Sequence, residues 1–226
     1  GDYHAIVLAP ASIQESVDLI QLAFDLAEKY RHLVFVVADG LIGQMMEPCE
    51  LPEMRPLRTE RPDWALTGAK DRDPNTISSL ELGAEELEEV NIWRHERLKI
   101  IQENEQRYTE MLTDDAQLVV VAFGTAGRIA QTAVKQARRK GLKVGLFRPI
   151  SLWPFPEKRL SELADQVDAF LVVEMNAGQM LEDVRLSAGG QVPVTFYGRT
   201  GGVVPVPEEI YDAITELHEK LTAQVV

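Results

Sequence analysis

Cysteine is all but missing from this sequence: Cys49 is the only one in 226 residues. A single thiol excludes an internal disulfide, and it cannot alone hold an iron–sulfur cluster, which takes about four thiolates. Any such cluster must sit on another polypeptide. Basic residues are scarce relative to acidic ones, 23 Lys and Arg against 36 Asp and Glu, for a formal charge of -13. That balance disfavours nucleic-acid phosphates and anionic membrane surfaces as partners, and it suits basic partners or plain solubility. Long apolar runs are absent too: none reaches the ~20 residues of a membrane span, and no signal-peptide pattern opens the chain. The cytoplasm is the expected compartment.

What is present is ordinary for a folded protein, 45% hydrophobic and 26% charged, and long enough for one large or two small domains. The chain enters at once on Ala5–Ala9, an apolar strand with no initiator methionine and no element before it, and is expected to be a piece of something longer. Ser12 with Glu15 three residues on has the spacing of a capping box, which starts a helix. Its apolar stripe reads Ile13, Val17, Ile20, Phe24 and Ala27, and it ends near Tyr30–Arg31. Leu33–Ala38 is apolar without alternation, as in a parallel strand covered on both faces. Strand, helix and strand make one βαβ unit. Two strands and one helix leave a face and an edge uncovered, so another chain or further residues should complete the sheet through an interface of ~2,000 Å² or more.

The stretch that follows is broken by Pro48, Pro52, Pro56, Pro62 and Pro74, which forbid a lasting helix or central strand. Leu51, Met54, Leu57, Trp64 and Leu66 within it suggest an arm lying on a surface. The expected division is residues 1–47 for the first α/β unit, 48–83 for the Pro-rich linker, 84–113 for a long, exposed connecting helix and 114–226 for an open parallel α/β domain. In that last domain strands Leu118–Ala122, Lys143–Phe147, Ala169–Val173 and Val192–Phe196 alternate with helices, the final one Pro207–Leu221.

Ligands of open parallel sheets bind beyond the carboxyl ends of strands. Four such places stand out. Gly124–Arg128 turns a strand into a helix, where free N–H groups and Arg128 could hold an anion, although a packing or interface turn is the preferred reading. It is not a dinucleotide fingerprint, lacking both the G-x-G-x-x-G spacing and the acidic residue ending the next strand. Glu174 with Asn176 could meet a ligand or cap the helix that follows. The loop Tyr197–Gly202 offers Arg199 to a phosphate or to a tight turn. Asp39–Gly40 could be an N-cap or a cofactor contact. The four histidines, His4, His32, His95 and His218, show no metal or triad spacing. The residues alone thus yield no catalytic group and no metal site.

The run from Gly1-Asp2-Tyr3-His4 through Pro10-Ala11-Ser12 to Glu15, with Ala23–Tyr30 and Ala38-Asp39-Gly40-Leu41-Ile42-Gly43-Gln44-Met45-Met46-Glu47-Pro48, resembles the alpha subunit of 2-oxoacid:ferredoxin oxidoreductases. The branched-chain 2-oxoacid and 2-oxoglutarate types fit best. The similarity continues through Phe147–Ile150, Trp153–Pro156, Val173–Asn176 and Tyr197–Gly202. The resemblance implies a partial thiamine-diphosphate-binding (pyrimidine) domain followed by a domain like the C-terminal domain of transketolase. It further implies thiamine diphosphate with Mg²⁺ in the assembled enzyme, beta and gamma or delta subunits as partners, iron–sulfur clusters on partner subunits, ferredoxin as electron acceptor and coenzyme A as acyl acceptor. The family's glutamate that protonates the aminopyrimidine ring would precede Gly1, so no catalytic residue carries over. Asp39 and Gly40, and more remotely Glu174, Asn176 and Arg199, remain the candidate cofactor contacts. This chain is expected to supply scaffold and interface. A non-enzymatic assembly module, or a 2-oxoacid dehydrogenase or transketolase component, is the alternative.

Overall fold

The computed structural model describes residues 3–54, 56 and 59–223. Gly1 and Asp2 of the resembling run and Leu57 of the Pro-rich arm lie outside the described residues. The elements alternate as strand and helix, and they build two mixed sheets.

The first unit contains β1 (Ile6–Leu8), α1 (Ile13–Tyr30), β2 (Val34–Val36) and the short α2 (Gly40–Gln44). β1 and β2 pair in parallel, Ile6 opposite Val34. Helix α3 (Ala84–Asn104) brings Leu98 and Ile101 against them. The sheet has a third strand that the sequence reading lacked. β6 (Ser151–Trp153), from the far part of the chain, runs antiparallel to β1 with Leu8 opposite Ser151. The edge expected to await another chain or further residues is therefore closed on one side by this chain itself. The β2 side stays open among the described residues, with Phe35 at 53% exposure.

The buried stripe of α1 differs from the expected one. Leu19, Leu26 and Tyr30 are buried, with Leu22 and Ala23 packed beside them, whereas Ile20 and Phe24 are exposed. The helix carries two apolar stripes, and the sheet takes the one at 19, 22, 23, 26 and 30.

The helix beginning at Ala84 stops at Asn104 rather than near Thr113. Glu105 ends it with φ -119, its carboxylate pulled inward, and Tyr108–Met111 then forms strand β3. Tyr108 and Thr109 favour extended backbone, and the strand finds a free edge, pairing antiparallel with β5 (Val144–Pro149), Tyr108 opposite Pro149. From Met45 to Gly83 the described residues hold no helix or strand. The arm's Leu51, Met54 and Leu66 stand exposed, with Leu51 and Met54 bordering α1 at Gln21, Phe24 and Asp25, and Trp64 lies beneath the Arg31 guanidinium at 5.0 Å.

The second sheet has the order β3-β5-β4-β7-β8, where β4 is Leu118–Val121, β7 is Ala169–Glu174 and β8 is Val194–Gly198. Four strands are parallel and β3 is antiparallel, so the sheet is mixed rather than purely parallel. β4 and β7 are buried at every residue because helices cover both faces. On one face α4 (Gly124–Arg139) and α7 (Pro207–Ala223) contribute Ala130, Ala133, Val134, Ile210 and Ile214; on the other α5 (Glu157–Ala164) and α6 (Met180–Ala188) contribute Leu160, Leu163 and Val184 around Phe147 and Phe170. Each of these large side chains contributes about 1.5–3 kcal/mol by leaving water. No described helix is long and apolar enough to cross a membrane.

Candidate functional site

The carboxyl ends of β1, β2 and β4 meet at the junction of the two units. Asp39, just past β2, is the N-cap of α2, its Oδ1 accepting from the N–H groups of Leu41 and Ile42, both at 3.1 Å. The same carboxylate reaches the other unit. Oδ1 accepts from Thr125 Oγ1 at 2.8 Å and Oδ2 from the Thr125 N–H at 2.9 Å. The first turn of α4 has no acidic residue and no side-chain cap of its own, so Asp39 supplies both the acceptor and the negative charge that a helix start favours. Gly124 permits the approach: its φ is +56, and a Cβ there would stand 3.0 Å from Asp39 Oδ2.

Beside this joint lies a cleft of about 740 Å³ between the starts of α1 and α4. Arg148, near the end of β5, holds Glu15 through two bonds of 2.9 and 2.8 Å, and Glu15 also accepts from the Ala11 N–H at 2.7 Å. The capping box is thus altered. Ser12 Oγ accepts from the Glu15 N–H at 3.1 Å, as expected, but Glu15 reaches Ala11 and Arg148 instead of its own N-cap. Arg128 pairs with Glu47, which also accepts from the Ile13 N–H at 3.2 Å. Hydrogen bonding from Arg128, and then from Ile13, holds the Glu47 carboxyl below its usual range. Gln14 exchanges two bonds with the Glu50 backbone, 3.1 and 2.7 Å. Residues 39–50 therefore fold across the heads of α1 and α4.

Gly127 belongs to the same arrangement, since a Cβ would come 2.8 Å from the Ala122 carbonyl and 3.0 Å from Arg148 Cδ. The Gly124–Arg128 turn keeps its anion partner inside the protein: Asp39 takes the helix N–H and Glu47 takes Arg128.

At the carboxyl end of β7, Glu174 is 1% exposed. Its oxygens accept from the N–H groups of Met180 and Leu181 and from Asn176 Nδ2, at 2.9, 3.0 and 2.9 Å. Asn176 Oδ1 accepts from the N–H groups of Gly178 and Gln179 at 2.7 and 3.2 Å. Together they satisfy the start of α6, which has no side-chain cap at Gln179. Arg199 is ion-paired with Glu209, which also accepts from Tyr197 Oη at 2.9 Å. Burial, then that bond to Glu209, pushes the Tyr197 hydroxyl up. Of the candidates, Asp39 meets the other unit; Gly40 lies beside it with open space where a Cβ would be; Glu174, Asn176 and Arg199 bond within the second unit.

Sequence reasoning missed the partners: Thr125 for Asp39, Arg148 for Glu15, Arg128 for Glu47. Arg148 stood in view at a strand end, but its partner lies 133 residues away in sequence, and separation of that size leaves no local pattern.

Comparisons with known proteins place the chain in a family. Residues 1–121 match the family model described as "Pyruvate flavodoxin/ferredoxin oxidoreductase, thiamine diP-bdg", and residues 116–210 match "Pyruvate:ferredoxin oxidoreductase core domain II". The chain is 43% identical over 217 residues to ketoisovalerate oxidoreductase subunit VorB of Methanothermobacter thermautotrophicus, covering 96% of this chain and 61% of that protein. It is 33% identical over 245 residues to 2-oxoglutarate synthase subunit KorA of the same organism, covering 96% of this chain and 65% of the relative. It thus spans under two thirds of the length of these relatives. A solved 2-oxoglutarate:ferredoxin oxidoreductase from Magnetococcus marinus shares the fold at a TM-score of 0.74 and 18% identity, over 94% of this chain and 42% of the other.

The residues present do not by themselves fit thiamine diphosphate and its metal. Both Asp39 oxygens are engaged, Arg128 and Arg148 are paired with glutamates, and no group of three or more His, Cys, Asp or Glu among the described residues could hold a metal ion.

Proposed function

Because the chain belongs to the pyruvate flavodoxin/ferredoxin oxidoreductase family, we propose that it is part of the alpha-type subunit of a thiamine-diphosphate-dependent 2-oxoacid:ferredoxin oxidoreductase, supplying scaffold and subunit interface. In that reaction a 2-oxoacid loses CO₂, the electron pair released passes singly to ferredoxin, and the acyl group goes to the sulfur of coenzyme A. Beta and gamma or delta subunits carry the iron–sulfur clusters and hold the diphosphate with its Mg²⁺, and the assembly works in the cytoplasm. The observation that carries the scaffold role is the joint at Asp39. The side chains of Asp39, Thr125, Glu15, Arg148, Glu47 and Arg128 at the strand ends and helix starts bond to one another and tie the two units together.

On this reading the backbone at Asp39–Gly40 is where the chain comes nearest the cofactor, as positioning rather than catalytic residues, and Glu174, Asn176 and Arg199 shape the second unit. A branched-chain 2-oxoacid is favoured as substrate, with 2-oxoglutarate next, since identity is higher to the ketoisovalerate relative than to the 2-oxoglutarate one.

The test is viologen or ferredoxin reduction by the full-length subunit co-expressed with its companion subunits and supplied with thiamine diphosphate, Mg²⁺ and coenzyme A. The expected result is turnover with one 2-oxoacid class and none from the chain alone. Turnover by the chain alone, or none in a fully loaded assembly across branched-chain 2-oxoacids, 2-oxoglutarate and pyruvate, would overturn the reading.

A further inference from the structure

A second site lies at the opposite end of the first sheet, at the amino ends of β1 and β2. There a pocket of about 420 Å³ is lined by Arg31, Arg94, Arg97, His32 and His95, with Tyr3 at its rim. No carboxylate lines it among the described residues, although the chain as a whole carries a formal charge of -13. Asn91, Arg94, His95 and Leu98 recur at steps of three and four, which puts them on one face of α3.

Three separate devices hold the guanidinium groups in place. Arg94 lies over the Tyr3 ring, 5.5 Å from its centroid, and donates to its hydroxyl at 3.3 Å. Arg97 stacks on Trp93 at 4.5 Å and donates to the Arg31 carbonyl at 3.3 Å, leaving its buried Nε without a partner. Arg31 caps α1 in the left-handed conformation, φ 45, a region that disfavours a side chain, while its guanidinium rests on Trp64. Burial and the neighbouring charges of Arg31 and Arg94 press the Arg97 pKa down. A partly buried cation flanked by two others, with a spare donor, is an arrangement that an anion of more than one charge would relieve.

We propose that this pocket binds a small ligand through a diphosphate or longer phosphate chain, at a site separate from the strand-end junction. Phosphate oxygens match the forked donors of arginine, and the volume exceeds what a single phosphate fills.

The experiment is calorimetric titration of inorganic pyrophosphate into the full-length subunit in its complex at low ionic strength. Wild-type protein is expected to bind saturably and more weakly as salt rises. Arg94→Gln is expected to weaken binding about tenfold or more, the loss of one charge-assisted bond. Arg31→Gly serves as the second variant: glycine accepts the left-handed backbone, so the fold should hold while affinity falls by a similar factor. Absence of saturable binding, equal binding by both variants, or a structure of the full subunit with one of its own carboxylates bonded to these arginines would overturn the proposal.

Discussion

Glu105 shows at residue scale how a charge can be buried and still stabilise the fold. Its side chain is 2% exposed and accepts from Lys29 at 2.7 Å, Tyr30 at 2.6 Å and Arg107 at 2.6 Å, joining the end of α1 to the end of α3. Burial alone would raise its pKa, but bonds from Lys29, Tyr30 and Arg107 outweigh it and hold the carboxyl below its ordinary value. A lowered folded pKa means the stabilisation is whole above about pH 4.3 and is lost as pH falls through the folded value. Glu105→Ala is expected to cost about 3 kcal/mol at neutral pH, because it strands donors gathered around one acceptor. Urea unfolding of wild type and variant should show that gap narrowing at acid pH; a constant gap would count against the assignment. Asp39→Ala, which uncaps α2 and α4 together, should cost about 2 kcal/mol by the same assay.

Elements explain what could and could not be read in the chain. The strands buried on both faces, Leu118–Val121 and Ala169–Val173, declare themselves as unbroken apolar runs, and Gly141 marks the end of α4. β6 does not: Ser151–Trp153 is three residues whose pairing with β1 depends on a fold already formed. β3 hid behind a helical run that Glu105 ends only because Lys29, Tyr30 and Arg107 draw it inward. At the junction the residue types were legible, Asp39 as an N-cap among them, while the cross-chain partner Thr125 was not. Gly127 tests the packing of α4. Gly127→Ala must push backbone apart, since the added carbon meets the Ala122 carbonyl at 2.8 Å, and a loss of about 2 kcal/mol is expected by thermal unfolding. An unchanged midpoint would mean that α4 can shift freely.

The whole molecule presents an uneven surface. Phe24 is 73% exposed, Leu33 68% and Phe35 53%, along the outer side of α1 and the open β2 edge. Apolar side chains left this exposed are available for burial in assembly. The chain alone is expected to self-associate in sedimentation velocity, and Phe24→Ser with Phe35→Thr to return it toward monomer with little change in stability; equal association by the variant would exclude this face. Together with the joint at Asp39, such surface fits the proposed role of scaffold and interface.

Equilibrium dialysis with thiamine diphosphate and Mg²⁺, comparing the folded chain alone with the assembled full-length complex, separates a scaffold from a cofactor-binding unit. The complex is expected to retain the cofactor and the chain alone to retain none; stoichiometric retention by the chain alone would overturn the scaffold reading.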